Sequence, residues 1–448
     1  MKVTHDGRRI TVEVTPDGDG LVSRAGSALV AGVADKVGLT SALSLHLAEL
    51  KTRRSGHDVG RVVRDLAVML ADGGDCLADL AALQDQGLLF GQMASTSTAF
   101  RVIDRIASDP DGLQRLRTAH AVARSRAWKL LGAPTELDID LDATLIGAHT
   151  DKEGAEGNFK GGFGFHPMLA YGDQTGEALG GELRPGNAGA NTAADQIAVA
   201  EAALEQIPAE HIEDIDLLLR VDSAGACHEL LDWCRDARIR FSVGYDLTET
   251  VRHAIVQIAD GDWVCALHQD GSPRPNGQVC EITEHLDLAS WPGGSRVLVR
   301  RERAHPGAQL SFTDHDGHRF QAILTDQDGQ VAEIERRHRQ RARVEDHIRN
   351  DKDTGLRNLP FRDFEHNRVW LELVLIAHDL LCWTQRLLLS GELARAEPKR
   401  LRYRLLHVAA RLAFHARTAR LRLQANWPWA SDLAAAFARL DALPGPAG

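Results

Sequence analysis

The stretch Leu137-Asp138-Ile139-Asp140-Leu141-Asp142-Ala143-Thr144 alternates apolar and acidic residues in strict order. Successive side chains of a β-strand point to opposite faces, so the stretch predicts a strand over 137–142 with one apolar and one acidic face. Sites in open α/β sheets collect at the carboxyl ends of strands. Asp142 is therefore the first candidate site residue, and Asp140 is the reserve candidate. A solvent-exposed strand face is the alternative interpretation.

The sequence after Pro134 alternates short apolar runs with helical patterns. The predicted elements are, in order, strands at 137–142, 161–171 and 177–184, a helix at 191–206, a strand at 215–222, a helix at 225–236 and a strand at 239–245. Asn191 or Thr192, with Asp195 in the first turn, is the expected start of the first of these helices. The order β-β-β-α-β-α-β is that of the α/β ribonuclease-H-like fold.

A second acid, Asp222, ends the apolar run 215–221. The small residues Ser223, Ala224 and Gly225 follow it and allow another backbone to approach closely. Taken alone, Asp222 serves equally well as the N-cap of the next helix. Its place at the end of a strand that neighbours the first one in this fold favours a role beside Asp142.

A third acid lies on a helix predicted to start near Ala332 and to run through Lys352. Four polar residues of this helix are spaced by three, four and seven, which places them within an arc of roughly 60°. They are His338, Arg341, Glu345 and Lys352. Such a face suits an acid that holds a metal beside cations that grip phosphates. The alternative is an exposed face of ion pairs, such as Arg341 with Glu345.

Three carboxylates brought together repel one another unless divalent cations lie between them. Hard cations held by carboxylates suggest phosphoryl chemistry. We therefore expect Asp142, Asp222 and Glu345 to form a metal site.

The helix also matches the Tyr-x2-Arg-x3-Glu-x6-Lys signature of cut-and-paste bacterial DDE transposases through Arg341, Glu345 and Lys352, with His338 at the Tyr position. The stretch Asp142-Ala143-Thr144 looks like the first-Asp motif of those enzymes. Three further stretches resemble the insertion-sequence family numbered thirteen-eighty, and the resemblance covers essentially the whole chain. They are Ala148-His149-Thr150-Asp151-Lys152-Glu153-Gly154, Gly162-Phe163-Gly164-Phe165-His166-Pro167 and Arg339-Gln340-Arg341-Ala342-Arg343-Val344-Glu345-Asp346.

The resemblance implies a ribonuclease-H-like core interrupted by a β-rich insertion and two bound ions, Mg²⁺ or Mn²⁺. It implies that the three acids are catalytic metal ligands and that Arg341, Lys352 and His338 bind DNA. The expected activity is cleavage at the terminal inverted repeats of an insertion sequence and strand transfer into target DNA, without a covalent protein–DNA link. A homodimer on double-stranded DNA is implied as well.

The charge distribution is compatible with a DNA partner. The chain of 448 residues has a net charge of −11, but from Val331 onward 21 Lys and Arg stand against 14 Asp and Glu, a net of +7. Repulsion from the acidic remainder can orient a duplex toward this basic part, which contains Glu345.

Composition changes along the chain divide it into five predicted units. They are an N-terminal, mostly helical DNA-binding domain at 1–133, the first part of the core at 134–246, a β-rich insertion at 247–328, the second part of the core with the Glu helix at 329–390, and a basic helical region at 391–448. Residues 1–15 predict a hairpin, followed by helices such as Val59–Leu70 and Thr96–Ile106. The latter is either part of a helix-turn-helix or of a plain helical packing domain.

Within the insertion we expect strands at Val279–Thr283, Ser295–Arg301, Gln309–Thr313 and His318–Thr325. Further helices are predicted near Asn367–Leu388 and, rich in Arg, over Lys399–Gln424.

Other signals argue against different kinds of protein. No apolar run follows the first residues, so we expect a cytoplasmic protein without a membrane partner, associated with the nucleoid when bound to DNA. The stretch Gly161-Gly162-Phe163-Gly164 lacks the Walker lysine and the dinucleotide spacing, so no nucleotide cofactor is expected. Six cysteines show no zinc-ligand spacing and are expected to be reduced thiols.

Two other functions remain open from the sequence. A stand-alone nuclease or resolvase with the same core would carry the same three acids, and strand transfer separates it from a transposase. A domesticated, catalytically silent DNA-binding protein is the other reading, against which the retained acids argue.

Overall fold

The computed structural model describes residues 2–5, 8–52, 56–189, 192–303, 317–416 and 418–446. The predicted strand Gln309–Thr313 and the candidate N-cap Asn191 lie outside these residues.

The N-terminal part is a short hairpin followed by helices. Its elements are β1 (Lys2–His5), β2 (Arg8–Thr11), β3 (Leu21–Val22), α1 (Ser27–Lys36), α2 (Leu39–His46), α3 (Val59–Ala71), α4 (Ala81–Gln84), α5 (Gly87–Phe90), α6 (Thr96–Ser108) and α7 (Gly112–Leu131). The predicted start of α6 is confirmed, because the Ser95 side chain accepts from the backbone N–H of Thr98. Helix α6 buries Ala99, Val102 and Ile103 and is part of a packed helical core.

The central part contains the predicted core. Its elements are β4 (Glu136–Ala143), β5 (Ile146–Gly147), β6 (Glu156–Gly157), β7 (Phe163–Phe165), β8 (Met168–Gly172), β9 (Glu177–Glu182), α8 (Ala193–Glu205), β10 (Asp216–Val221), α9 (His228–Asp236) and β11 (Arg240–Tyr245). The strands lie in the order β9-β8-β4-β10-β11. Strands β4, β10 and β11 are parallel, and β8 and β9 are antiparallel neighbours. This is the ribonuclease-H-like arrangement, so the predicted fold class is confirmed.

The insertion extends the core sheet instead of forming a separate one. Its elements are α10 (Glu249–Gln257), β12 (Val264–Leu267), β13 (Pro273–Glu281), β14 (Arg296–Arg303) and β15 (His318–Thr325). Strand β15 pairs antiparallel with β11, and the continuous sheet then has nine strands. Helix α10 was not predicted from the sequence.

The C-terminal part returns to helices and adds a hairpin. Its elements are α11 (Val331–Arg339), a 3₁₀ turn (Gln340–Arg343), α12 (Val344–Asp351), α13 (Phe364–Leu388), α14 (Pro398–Leu401), β16 (Ala410–His415), β17 (Thr418–Leu423) and α15 (Ala430–Ala442). Helical structure from Val331 to Asp351 agrees with the prediction for 332–352. After Asp351 the path breaks at Thr354 and Gly355, and Gly355 has a φ of 103°.

The prediction of Arg-rich helices over Lys399–Gln424 is wrong for its second half. Strands β16 and β17 pair with each other, and β16 also pairs with β3. The segments alternate arginine with apolar residues at a period of two, as in Arg420-Leu421-Arg422-Leu423. A period of two suits a strand, and pairing with the N-terminal β3 stabilises it.

Two hydrophobic cores organise the molecule. One packs α1 to α3, α6 and α7 around the long helix α13, which contributes the buried Trp370 and Trp383. The other lies on the opposite face of the same sheet and contains residues of α8, α9 and the insertion strands. Because the N-terminal helices share a core with α13, they brace the segment that follows the predicted Glu helix. The predicted domain boundaries stay predictions.

Among the described residues, no single helix combines the length and hydropathy needed to cross a membrane, although α1 and α2, bent by 63°, meet both criteria when taken together. All six cysteines are free thiols, of which Cys234 and Cys280 are buried.

Candidate active site

Asp142 and Asp222 lie side by side at the carboxyl edge of two neighbouring parallel strands. Strand β10 pairs with β4 so that Arg220 stands opposite Asp140. Two residues further along each strand, the same register puts Asp222 next to Asp142. Adjacent strands are about 4.8 Å apart, and both residues point to the same face as Arg220 and Asp140. The sheet therefore fixes two carboxylates at one place.

Glu345 reaches the same place from the helical side. It is the second residue of α12 and is exposed, like Asp222. Both residues line an open cleft of about 540 Å³, together with His338 and Arg341. Asp142 does not line this cleft but lies next to it, since one of its carboxylate oxygens is 3.4 Å from the guanidinium of Arg341.

The electrostatics of Asp142 report this proximity. Burial raises the pKa of Asp142, and the charges of Asp222 and Glu345 raise it further. Arg341 opposes this rise, with its guanidinium nitrogen 3.4 Å from a carboxylate oxygen of Asp142. One of the oxygens of Asp142 also accepts a hydrogen bond of 2.9 Å from the backbone N–H of Ala143. The charges of both other acids therefore act on Asp142.

A group of ion pairs in which Arg220 and the three acids are buried, and which we call the clamp cluster, fastens the helix to the sheet. Its members are Asp138, Asp140, Asp173, Arg220, Arg337 and Arg343. Arg337 of α11 donates to Asp138 at 2.6 and 2.9 Å. Arg343, just before α12, donates to Asp173 at 3.0 and 3.1 Å. Because these bonds flank Glu345 on its N-terminal side, they set the position of α12 over the strand ends.

Asp140, the reserve candidate, belongs to the clamp cluster. Its two oxygens accept from Nε and a terminal nitrogen of Arg220, both at 2.7 Å, and its side chain is 1% exposed. Burial raises the pKa of Asp140 to about 7 in spite of the positive charge of Arg220. A carboxylate that is bidentate to arginine has no free face toward the cleft, so the structure favours Asp142 over Asp140.

The three predicted DNA-binding residues lie around the acids. Arg341 donates to the backbone oxygen of Leu141 at 3.1 Å, so its side chain is directed at the end of β4. His338 lies 2.9 Å from the hydroxyl of Ser242 on β11. Burial lowers the pKa of His338 to about 3, and the charge of Arg341 acts in the same direction. His338 is therefore neutral at pH 7 and offers a hydrogen bond instead of a positive charge.

Lys352 is half-buried at the end of α12. Burial lowers its pKa and the charge of Arg357 lowers it further, whereas the charge of Asp142 raises it. The preceding Asp351 is held by two buried neighbours, because its carboxylate accepts a hydrogen bond of 2.6 Å from the hydroxyl of Tyr171 and contacts His378. This buried support fixes the turn that carries Lys352, which lines a separate pocket with Asp353 and Arg402.

The donor set fits divalent cations. Within the described residues, Asp222 and Glu345 have no cationic side chain in an ion pair, and Asp142 has only Arg341 at 3.4 Å. Oxygen ligands of this kind suit Mg²⁺ or Mn²⁺. The three oxygens do not all lie within 4.8 Å of one another, as ligands of a single ion would. A site for two ions about 3.5–4 Å apart would allow a wider spread of ligand oxygens than a site for one ion.

One compact trio of potential ligand atoms does occur among the described residues, at Asp75, Cys76 and Asp79. A carboxylate oxygen of Asp79 accepts from the backbone N–H groups of Asp75 and Cys76 at 2.9 and 3.0 Å. That geometry caps the following helical turn.

Sequence reasoning placed the six candidate residues but missed the clamp cluster. Its signal was present, because Asp138, Asp140 and Arg220 are charges inside runs predicted to be buried strands. Charges in such positions are paired. Which of them pair could not be read from the sequence, since it depends on the register of β4 and β10.

A ribonuclease-H-like sheet with acids at two strand ends and a third acid on a facing helix defines the DDE class of polynucleotidyl transferases and nucleases. The family model described as "Transposase DDE domain group 1" matches residues 4–445, and the chain belongs to this family. The resemblance to DDE transposases is thereby confirmed, and DNA is the partner of the class. The roles of the six site residues stay predictions.

Two other comparisons add little to this assignment. No curated protein matches the chain. Among solved structures, the chain is similar to a chain of the piggyBac transposase synaptic complex with hairpin DNA, with 10% sequence identity over 86% of this chain and 80% of that chain. The TM-score of that match is 0.43.

Proposed function

We propose that this transposase moves an insertion sequence of the family numbered thirteen-eighty by a cut-and-paste route. It would bind the terminal inverted repeats, cleave DNA at the ends of the element and join the freed ends to target DNA. The observation that carries the proposal is the cleft that Asp222 and Glu345 line, with Asp142 next to it at 3.4 Å from Arg341. A stand-alone nuclease would need the acids but no means of holding a cleaved end for a second reaction.

The three acids would hold two Mg²⁺ or Mn²⁺ ions. When bound, such ions supply activation of an attacking water or DNA 3′-hydroxyl and stabilisation of the leaving oxygen. Asp142 and Asp222 provide rigid positions, because each is set by hydrogen-bonded strands. Glu345 is set by the clamp cluster, so the geometry of the ligands is prepared before DNA arrives. Such preparation lowers the cost of reaching the reacting arrangement.

The cations divide their work by position. Arg341 lies against Asp142 and limits the repulsion among the acids, while its remaining donors are available to a phosphate at the cleaved bond. Lys352 brings a positive charge to the opposite end of α12, where the DNA backbone would continue. His338 is neutral and would hydrogen-bond to DNA. A basic segment from Val331 onward extends the binding region, and we propose that the protein acts as a homodimer on DNA, in the cytoplasm at the nucleoid.

A cleavage assay tests the proposal. The substrate is the DNA that flanks the coding region, including its inverted repeats, with Mg²⁺ added. We expect wild-type protein to cleave the repeat ends and to join them to a target plasmid. Asp222→Asn should reduce cleavage to background while repeat binding persists. Asp232→Asn is the matched control, because Asp232 is an exposed acid of α9 paired with Arg235, away from the cleft.

Three outcomes would contradict the proposal in different ways. Cleavage without strand transfer would favour the nuclease or resolvase. Repeat binding without cleavage by the wild-type protein would favour a silent DNA-binding protein. Full activity of Asp222→Asn would remove Asp222 from the site. Both variants should have the melting temperature of wild type, which would show that a loss of activity is not caused by a loss of folding.

A further inference from the structure

A hydrogen-bonded hairpin tip has no part in the proposed chemistry. Strands β6 and β7 are joined by the tip residues 158–162. The side-chain oxygen of Asn158 accepts from the backbone N–H groups of Lys160 and Gly162, both at 3.0 Å. The backbone of Asn158 bonds to Gly161 and Gly162 at 2.9 and 2.8 Å. Gly161 has a φ of 77°, which glycine adopts without strain.

The tip presents an aromatic ring and a cation to solvent. Phe159 is 71% exposed, and among the large hydrophobic residues that the structure describes only Val14 and Leu45 are more exposed. The ammonium of Lys160 lies 5.6 Å from the centre of this ring. On its other side the ring contacts His166, with centres 5.8 Å apart. Exposing a phenylalanine on a preformed turn brings no folding stability, because the ring stays in water.

The tip is joined to the acidic cleft by a short path of contacts. Thr144, two residues after Asp142, donates its backbone N–H to the oxygen of Pro167 at 3.0 Å. Pro167 follows His166, whose ring touches Phe159. These contacts link Phe159 to the end of β4, the strand that carries Asp142.

We propose that Phe159 stacks on an unpaired base at the cleaved DNA end and that Lys160 contacts the adjacent phosphate. The inference rests on the proposed function and adds a device that holds the end between cleavage and joining. Every base offers a flat π-face, so an exposed phenyl ring on a rigid loop binds unpaired bases without regard to sequence. A duplex base is stacked on its neighbours and offers no such face. The ring would thus distinguish an opened end from intact DNA.

Fluorescence of 2-aminopurine tests the stacking. The probe is a 30-base-pair duplex with a three-nucleotide overhang that contains 2-aminopurine, and the reference probe is the same duplex with a blunt end. Stacking on an aromatic ring quenches the base. We expect wild-type protein to quench the overhang probe and to bind it about 5- to 150-fold more tightly than Phe159→Ala does, the range given by 1–3 kcal/mol per stacked base. Blunt-duplex affinity should not change.

Two further variants sharpen the test. Phe159→Trp keeps a flat ring and should retain the quenching. Val256→Ala is the control for the loss of an exposed apolar side chain, because Val256 is 66% exposed on α10, outside the proposed binding region. It should behave like wild type.

Equal affinity of wild type and Phe159→Ala for the overhang probe would overturn the stacking role, while metal-dependent cleavage, and with it the proposed function, would remain. A change of oligomeric state in Phe159→Ala without a change in quenching would also overturn it. Failure of wild-type protein to bind either probe would overturn both proposals. The melting temperature of each variant should equal that of wild type, so that every comparison is made between folded proteins.

Discussion

Replacing Arg220 by methionine should open the catalytic sheet locally. Arg220 is fully buried and contacts three carboxylates of the clamp cluster, at 2.7 Å to Asp140, 2.9 Å to Asp138 and 3.2 Å to Asp173. Methionine fills similar volume but offers no charge. Asp138 and Asp173 keep Arg337 and Arg343 as partners, whereas Asp140 has no second cation in an ion pair among the described residues.

The expected cost follows from that difference. Breaking a buried ion pair by removing one partner costs about 3–5 kcal/mol. Only one carboxylate is stranded, so the cost should be that of one pair and not of three. Burial already raises the pKa of Asp140 to about 7, and loss of Arg220 raises it further. The folded variant then keeps its proton above pH 7 while the unfolded chain loses it, so the cost should grow by up to about 1.4 kcal/mol per pH unit above 7.

Hydrogen exchange followed by mass spectrometry measures the cost of Arg220→Met. The method gives local opening free energies, which suits a chain too large for a single two-state transition. Peptides that cover β4 and β10 should lose protection by the stated amount. The double variant Asp140→Asn with Arg220→Met should recover at least about 2 kcal/mol relative to the sum of the single changes. Arg235→Met is the control, since Arg235 is an exposed arginine with two acidic neighbours, and it should leave the exchange unchanged.

Additive effects in the double variant would refute the reasoning, because they would mean that Asp140 is not stranded by the loss of Arg220. A cost for Arg220→Met as small as that of Arg235→Met would refute the buried pairing itself.

Two more changes have defined outcomes. Gly355→Ala should lower stability by about 1–3 kcal/mol in thermal unfolding, because a Cβ there would meet Leu70 at 2.5 Å in a left-handed backbone with φ of 103°, whereas Gly293→Ala, with open space around it, should be neutral. Burial alone would lower the pKa of His378, but Asp351 outweighs it and raises the pKa to about 9. The His378–Asp351 pair contributes its full stabilisation below about pH 6.5, and the free energy of unfolding falls by at most about 3 kcal/mol as pH rises through 9. His378→Gln should flatten the dependence of unfolding free energy on pH in this range. An unchanged slope would disprove the assignment.

The catalytic sheet could be predicted because its signals are local. Alternation in β4 and the apolar run of β10 each indicate a strand, and the order of elements then places Asp142 and Asp222 at one edge. Helix α10 was missed although Val251, Ala254 and Ile255 have helical spacing, since the surrounding Pro-Gly and Asp-Gly turns favoured strands. The hairpin of β16 and β17 was missed because its arginines suited a basic helix equally well.

The site could be predicted in its members but not in its connections. Helical spacing groups His338, Arg341, Glu345 and Lys352 from the sequence alone. That Arg341 turns toward the strand end, and that His338 is neutral, depends on the neighbours that β4 and β11 bring to them. Those neighbours are roughly one to two hundred positions away in the chain, and no local pattern specifies them.

The helix that carries Glu345 is connected to the insertion, unlike the strands that carry the two aspartates. Strand β15 ends at Thr325, and α11 begins six residues later at Val331. Helix α11 is also anchored to the insertion by Arg300, which donates to Glu335 at 3.0 Å, and by Arg339, which donates to the backbone of Leu267. Asp142 and Asp222 lie at the ends of central strands, which are separated from the outer edge of the sheet by the insertion strands. A partner that binds the outer insertion strands would therefore shift Glu345 relative to Asp142 and Asp222. The insertion would in this way adjust the distances between the three acids.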